Sequence, residues 1–345
     1  LITTSMANFE YLPNELILKC FSYLDFYNLY EIFFCLNQRF KQLILYQTRV
    51  QIDLCLVPHE KLPTFCCHLN QLITTNQNYA PSLVADDKYK LNLIFENDLF
   101  KQTFSKLKSL TLSNIRVKTV YNIVFDETIK IYEKLERLCL RRKITEEPGG
   151  SNYTDLLCCN LISSKMKLLK HLQLNFEPYT YQCTDSINRD DDYVNLIFYQ
   201  LIIGDKSLSD IETLIIGSIP WHRNCGYVTH TRIRFNILSE KLLLCLPKLK
   251  YLIVNEVHLE KDHYAKQNRI LASTTETNSN IPLNLEVIKI WIDWRYYGLD
   301  TRIAMTRFLQ NFFMNNNSLD TTTIKRFYIN KRNALKPVDL INFFT

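Results

Sequence analysis

The sequence predicts an α/β fold in which a short all-helical amino-terminal module precedes a series of parallel strands joined by helices. Three observations carry that expectation. A six-residue phrase of the form apolar-x-x-apolar-x-apolar recurs seven times after residue 100. Stretches with three-to-four apolar spacing separate successive phrases, and residues 9–46 divide into three amphipathic pieces ahead of the first phrase.

The first piece of the module is expected to form a helix from Pro13 to Leu24. Proline suits a first helical turn, where its missing N–H has no partner in any case, and Glu15 favours the positive end of the helix dipole. Leu16, Cys20 and Leu24 recur every four residues beside Ile17 and Phe21, which gives an apolar face and leaves Asn14 and Lys19 to solvent. Asp25 can cap a second helix through Leu36, carrying Leu29, Ile32, Phe33 and Leu36. Asn37 can cap a third, with Phe40, Leu43 and Ile44. Three helices this short hide too little surface to make a strong core alone, so some apolar surface is expected to remain for another protein. The alternative is that they merely cap the following domain.

The residues Leu12-Pro13-x-Glu15-Leu16-Ile17, Phe21-Ser22-Tyr23-Leu24-Asp25, Leu29 and Leu36-Asn37-x-Arg39-Phe40 resemble the F-box. Members of that family use a three-helix module to dock on the Skp adaptor of cullin-RING ubiquitin ligases. The resemblance implies a docking surface containing Leu12, Pro13, Leu16, Ile17, Phe21, Leu24 and Leu29. Asn28 stands where aspartate is frequent in the family and Phe40 where tryptophan is frequent, both mild chemical changes.

The repeated phrases are LKSLTL at Leu107, LERLCL at Leu135, LKHLQL at Leu169, IETLII at Ile211, LKYLIV at Leu249, LEVIKI at Leu285 and IKRFYI at Ile324. Each has a lysine or glutamate directly after its first apolar residue. The last three positions alternate as a strand does, so Leu110, Leu138, Leu172, Leu214, Leu252, Ile288 and Phe327 are expected to point inward. The row facing out is then Ser109 and Thr111, Arg137 and Cys139, His171 and Gln173, Thr213 and Ile215, Tyr251 and Ile253, Val287 and Lys289, Arg326 and Tyr328. Helices are expected within Val117–Tyr132, Asp192–Ile203, Arg232–Leu246 and Ile303–Phe313. This order resembles the leucine-rich-repeat solenoid, which implies parallel strands on a concave face and helices on the convex one. The phrases begin 28, 34, 42, 38, 36 and 39 residues apart, longer than the roughly 20 to 29 of that family, so the repeat is irregular. The excess is assigned to polar insertions at Arg142–Thr154, Glu177–Asp192, Pro220–His230 and Glu260–Pro282.

The domain organisation that follows is an F-box at 8–48, a connecting segment at 49–100 and the irregular repeat domain at 101–345. Within the connector, QIDLCL at Gln51 reads as an additional strand and Leu62 to Thr74 as a helix.

Composition narrows the chemistry. Of the 345 residues, 47% are hydrophobic and 22% charged, as in an ordinary protein with a sizeable core. A net charge of +6 is too small to signal specific nucleic-acid binding. Six glycines stand where average usage would give about 24, which leaves little material for phosphate-cradling loops or nucleophile elbows. Eleven cysteines fall well below the density of a disulfide-stapled secreted chain. Leu1–Ser5 shows no signal-peptide progression, and no apolar run spans a bilayer. The expected location is cytoplasmic or nuclear, away from membranes.

Candidate chemical groups are few. Cys66, Cys67 and His68, and the pair Cys158 and Cys159, lack the ligand spacing of zinc sites, so no metal or cofactor is expected. No serine or cysteine nucleophile motif is present, so the chain is not expected to be an enzyme. Arg141, Arg142 and Lys143 form a compact basic triplet that could meet a phosphate or an acidic peptide, or simply be solvated. Asp190, Asp191 and Asp192 read as a solvated helix start. The aromatic residues Trp221, Trp291, Trp294, Tyr296 and Tyr297 suit either a core or a binding edge.

The expected function is therefore substrate recognition for a Skp-cullin-F-box type ubiquitin ligase, with the F-box on the Skp adaptor and cullin core and the repeats on a target protein. Tyr251, Ile253, Lys289, Trp291, Arg326 and Tyr328 mix aromatic, aliphatic and cationic groups, as binding hot spots do, and are the expected target platform. A leucine-rich-repeat scaffold or receptor unconnected with ubiquitination is the alternative.

Overall fold

The structure, a computed structural model, describes residues 9–46, 51–75, 82–97, 101, 104–141, 144–145, 153–178, 194–201, 209–217, 231–258, 284–292 and 326–331. The chain divides into two compact units, Leu1–Thr111 with Glu127–Ile131 and Leu112–Asp126 with Tyr132–Thr345. It is a mixed α/β protein with a helical amino-terminal stretch and a mostly parallel sheet.

In the first unit, helix α1 (Asn14–Phe21) starts directly after Pro13. It stops three residues short of Leu24 because the backbone tightens there. Tyr23 and Leu24 donate three residues back, to the carbonyls of Cys20 and Phe21, each at 3.1 Å. Helix α2 (Phe26–Phe33) is capped as expected, with the Asn28 N–H donating to Asp25 Oδ1 at 3.0 Å. Asn37 Oδ1 likewise accepts from the Phe40 N–H at 3.0 Å and opens α3 (Gln38–Tyr46).

Rings fill the space between these helices. Phe21 and Phe33 have centroids 5.0 Å apart, Phe33 and Phe40 5.5 Å, and Phe9 lies within 6 Å of both Phe33 and Phe40. Helix α4 (Leu62–Thr75) brings Phe65 against Phe26, Tyr27 and Tyr30 of α2.

The connector holds more structure than its pattern suggested. Strand β1 (Gln51–Asp53) and helix α4 fall where expected, and β1 pairs in parallel with β2 (Ser82–Ala85). Helix α5 (Lys88–Glu96) follows, capped by Asp87 through the N–H groups of Tyr89 and Lys90. Lys90 is buried, and its ammonium donates to the carbonyls of Leu54 and Val57, each at 2.7 Å, tying α5 to the turn after β1. Strand β3 (Ser109–Leu112) carries the first phrase.

All seven phrases form strands. In the second unit these are β5 (Arg137–Leu140), β7 (His171–Leu174), β9 (Thr213–Ile216), β11 (Tyr251–His258), β12 (Val287–Ile292) and β13 (Arg326–Lys331). They lie in that order, parallel and in phrase register: Leu138 faces Leu172, Leu172 faces Leu214, Leu214 faces Leu252, Leu252 faces Ile288 and Ile288 faces Phe327. All three apolar positions of each phrase from Leu107 to Ile290 are fully buried. The side chain of Phe327 lies outside the described residues.

A bifurcated contact repeats between phrases. The carbonyl of Glu136 accepts from Lys170 and His171, that of Lys170 from Glu212 and Thr213, that of Glu212 from Lys250 and Tyr251, and that of Lys250 from Glu286 and Val287, all at 2.8 to 3.1 Å. Equivalent sequence positions thus do equivalent work along this run of strands.

Three expectations need correction. Val194–Leu196, placed in a helix by spacing, is strand β8, because Val194 and Leu196 turn inward while Asn195 reaches Arg232. The expected helix from Arg232 begins as strand β10 (Thr231–Arg234), which pairs with both β8 and β11, and only then turns helical over Phe235–Cys245. Within the supposed insertion after Arg141, Ile144 and Thr145 form strand β6 against β4 (Ile115–Arg116).

The helix α6 (Val117–Val124) is shorter than its pattern, and α7 (Tyr153–Ile162) was not expected as a separate element. Phe198 takes a left-handed φ of 53°, a conformation costing roughly 1 to 2 kcal/mol for a residue of this type. Its ring is fully buried, and the next N–H donates to both carboxylate oxygens of Asp155 at 3.0 Å, which offsets the strain. The expected helix at Ile303–Phe313 lies outside the described residues.

Candidate functional site

The amino-terminal module keeps apolar side chains on its outside after its core is closed. Ile17, Phe21 and Leu29, expected in a docking surface, are instead buried within the chain, since the ring cluster and the helix crossing need them. Leu16 and Leu24 are exposed, Pro13 is exposed and Leu12 is half-buried. Further apolar groups outside the expected docking surface are exposed as well: Tyr11 at 85%, Tyr23 at 81%, Ile32 at 51% and Leu36 at 58%. Ile32 and Leu36 are expected on an apolar helix face, but Ile32 lies on the solvent side of α2 and Leu36 falls beyond the helix end.

Arg39 holds the entry to this module. Its guanidinium donates to Asn14 Oδ1 at 2.7 and 2.9 Å, to the Leu12 carbonyl at 2.6 Å and to the Glu10 carbonyl. Asn37 adds a bond to Glu10 Oε1 at 3.2 Å. The backbone carrying Leu12 and Pro13 is therefore fastened to α3 by one side chain, a role that the sequence motif marks without explaining.

On the strand face, the expected outer row is mixed. Tyr251 is exposed, while Ile253, Lys289 and Trp291 are half-buried. Thr111, Cys139 and Ile215 are buried and so do not present themselves as expected. Arg326 and Tyr328 lie on β13 in register with Val287 and Lys289, and their side chains lie outside the described residues. The Trp291 indole nitrogen and the Asn255 carboxamide are covered and make no hydrogen bond among the described residues.

Electrostatics along the row follow two patterns. Lys250 pairs with Glu212 at 2.8 Å and Lys248 with Asp210 at 2.7 Å. The hydrogen bond from Lys250 holds the Glu212 carboxyl below its ordinary range. His171 behaves differently: burial and the charges of Arg137 and Arg141 push its imidazole down to about 4, and its Nε2 is covered without a partner.

No group of three or more metal-ligating side chains occurs among the described residues. His68 is engaged with the Tyr30 hydroxyl, and burial pushes the neighbouring Cys66 thiol up to about 12. Cys158 and Cys159 are both buried, and burial likewise lifts the Cys159 thiol to about 12. The Cys66 and Cys159 thiols are packed and protonated, poor nucleophiles and poor ligands. Arg141 is exposed, whereas Arg142, Lys143, Asp190, Asp191, Asp192, Trp221, Trp294, Tyr296 and Tyr297 lie outside the described residues. Among the described residues no helix is long and apolar enough to cross a membrane. No protein-family model matches the chain, and no curated protein matches it in sequence.

Proposed function

We propose that the chain is a substrate-recognition adaptor of a Skp-cullin-F-box type ubiquitin ligase. The observation that carries this reading is the amino-terminal module itself: a closed aromatic core with Leu16, Leu24, Ile32 and Leu36 left in solvent. Contiguous exposed apolar surface marks an interaction site, and these four large side chains on one short module are the material for such a surface. The resemblance over Leu12 to Phe40 names the partner, the Skp adaptor, and the cullin core would follow through it.

The repeated phrases support an irregular leucine-rich-repeat domain as the target-binding half. Their support lies in the matched register, the three buried apolar positions and the recurring bifurcated carbonyl. In such an assembly the chain contributes placement, and bond chemistry occurs on a ubiquitin-charged enzyme held nearby. Co-expression with the Skp adaptor tests the reading. Co-purification in equal proportion supports it, and failure to co-purify from a folded chain removes it in favour of a repeat scaffold outside ubiquitination.

A further inference from the structure

Strands β5 and β7 place Arg137 opposite His171 and Cys139 opposite Gln173. These residues alternate with Leu138 and Leu172, so they leave the sheet on the other face from the buried leucines. Cys139 belongs to that outer row and yet has no exposed surface. The cause is local. Arg137 Nε donates to Cys139 Sγ at 3.4 Å, so the arginine lies along the strand over the thiol.

That posture carries the Arg137 guanidinium toward Arg141, the next exposed member of the row. Four residues of strand separate the two Cα atoms by about 13 Å, and the turn of Arg137 shortens the gap between the charges. Asn175 fixes the far end by donating to the Arg141 carbonyl at 3.2 Å.

No carboxylate among the described residues pairs with either arginine, whereas Lys61, Lys248 and Lys250 each have an acidic partner. His171 sits beside both guanidinium groups with one ring nitrogen covered and unpartnered among the described residues, and burial, then their charges, hold it neutral. Positive charge is thus concentrated at β5 and β7 with no carboxylate paired to it among the described residues.

We propose that Arg137, Arg141, His171 and Gln173 form a recognition site for an acidic peptide segment, with one carboxylate seated on each guanidinium. A guanidinium fork matches a carboxylate with two parallel hydrogen bonds, and two forks on one row suit two acidic side chains of an extended chain. Gln173 offers an amide donor between them. The inference rests on the strand face being the target platform, and it moves the ionic part of that platform from Lys289 to β5 and β7.

The test uses the full chain and a fluorescein-labelled decapeptide of alternating glutamate and glycine, read by anisotropy at low salt. A control peptide carries glutamine for glutamate. The expected result is binding of the glutamate peptide alone, weakened about tenfold or more by Arg137→Gln and by Arg141→Gln, as loss of a charged fork predicts, and unchanged by Lys167→Gln. Equal losses from all three variants would mean diffuse charge and overturn the site, as would indifference to both arginines. A phosphoserine version binding at least about tenfold tighter would overturn the carboxylate assignment in favour of phosphate. Unfolding midpoints of the variants exclude misfolding, since both arginines lie outside the core. Skp adaptor capture by the same variants is scored separately. Lost peptide binding with intact capture defeats only this site, and lost capture with intact peptide binding defeats only the adaptor reading.

Discussion

Lys250 donates from Nζ to Glu212 Oε2 at 2.8 Å, and the two residues hold the same place in successive strand phrases. That place alternates in sign along the chain: Lys108, Glu136, Lys170, Glu212, Lys250, Glu286 and Lys325. Each charge therefore has opposite neighbours in the repeat order, and a sheet that skipped one phrase would set like against like. Glu212→Lys should lower the unfolding temperature at low salt by placing three lysines in sequence at equivalent positions. In 1 M NaCl, where charges are screened beyond about 3 Å, the gap between variant and parent should close. A deficit that persists unchanged in high salt would assign the effect to packing.

The amino-terminal module separates docking from folding. Leu16→Asp and Ile32→Asp alter exposed positions, so each should leave the unfolding midpoint within about 0.5 kcal/mol of the parent and abolish co-purification with the Skp adaptor. Phe21→Ala empties a site in the ring cluster and should cost about 3 to 5 kcal/mol. Retained capture by the two aspartate variants would show that the exposed row is not the docking surface.

Arg39 offers a third, independent test. Hydrogen bonds to a charged donor contribute roughly 1.5 to 3 kcal/mol, and Arg39 makes several to the segment around Leu12 and Asn14. Arg39→Ala should destabilise the module by about 2 kcal/mol in chemical denaturation. Proteolysis between Glu10 and Pro13 should accelerate while α4 stays protected. Arg39→Lys should recover little, because one ammonium cannot serve the same spread of acceptors.

Much of the strand architecture was legible because its signal is periodic. A phrase with three inward apolar positions admits one register, and all seven phrases became strands. Short elements were lost for the opposite reason. Over Val194–Leu196 a three-residue strand shows one alternation, too little to compete with the helical spacing of its neighbours. The outer row was legible as positions and misread as exposure, since a long side chain can lie along its own strand, as Arg137 does over Cys139. In the module, the pattern identified the apolar residues and could not sort Ile17 and Phe21, which fill the core, from Leu16 and Leu24, which do not. That sorting depends on where Phe33 and Phe40 arrive from later helices.

His171 gives the last prediction, in pH dependence. Its imidazole stands at about 4 in the folded chain against an ordinary 6.5, chiefly through burial and then through Arg137 and Arg141. Between those values the unfolded chain holds a proton on this ring that the folded chain does not. Stability must therefore fall as pH drops through 6.5 toward 4, and the contribution is fully present above 6.5. The groups beside the ring are Arg137 across the β5 pairing, Arg141 beyond it and the uncharged Thr213 across β9, so no acid among the described residues opposes the effect. The difference in urea midpoint between the parent and His171→Gln should be constant above pH 6.5 and shift against the parent as pH falls from 6.5 toward about 4. Parallel midpoint curves for the two proteins would show that His171 titrates as an ordinary surface histidine.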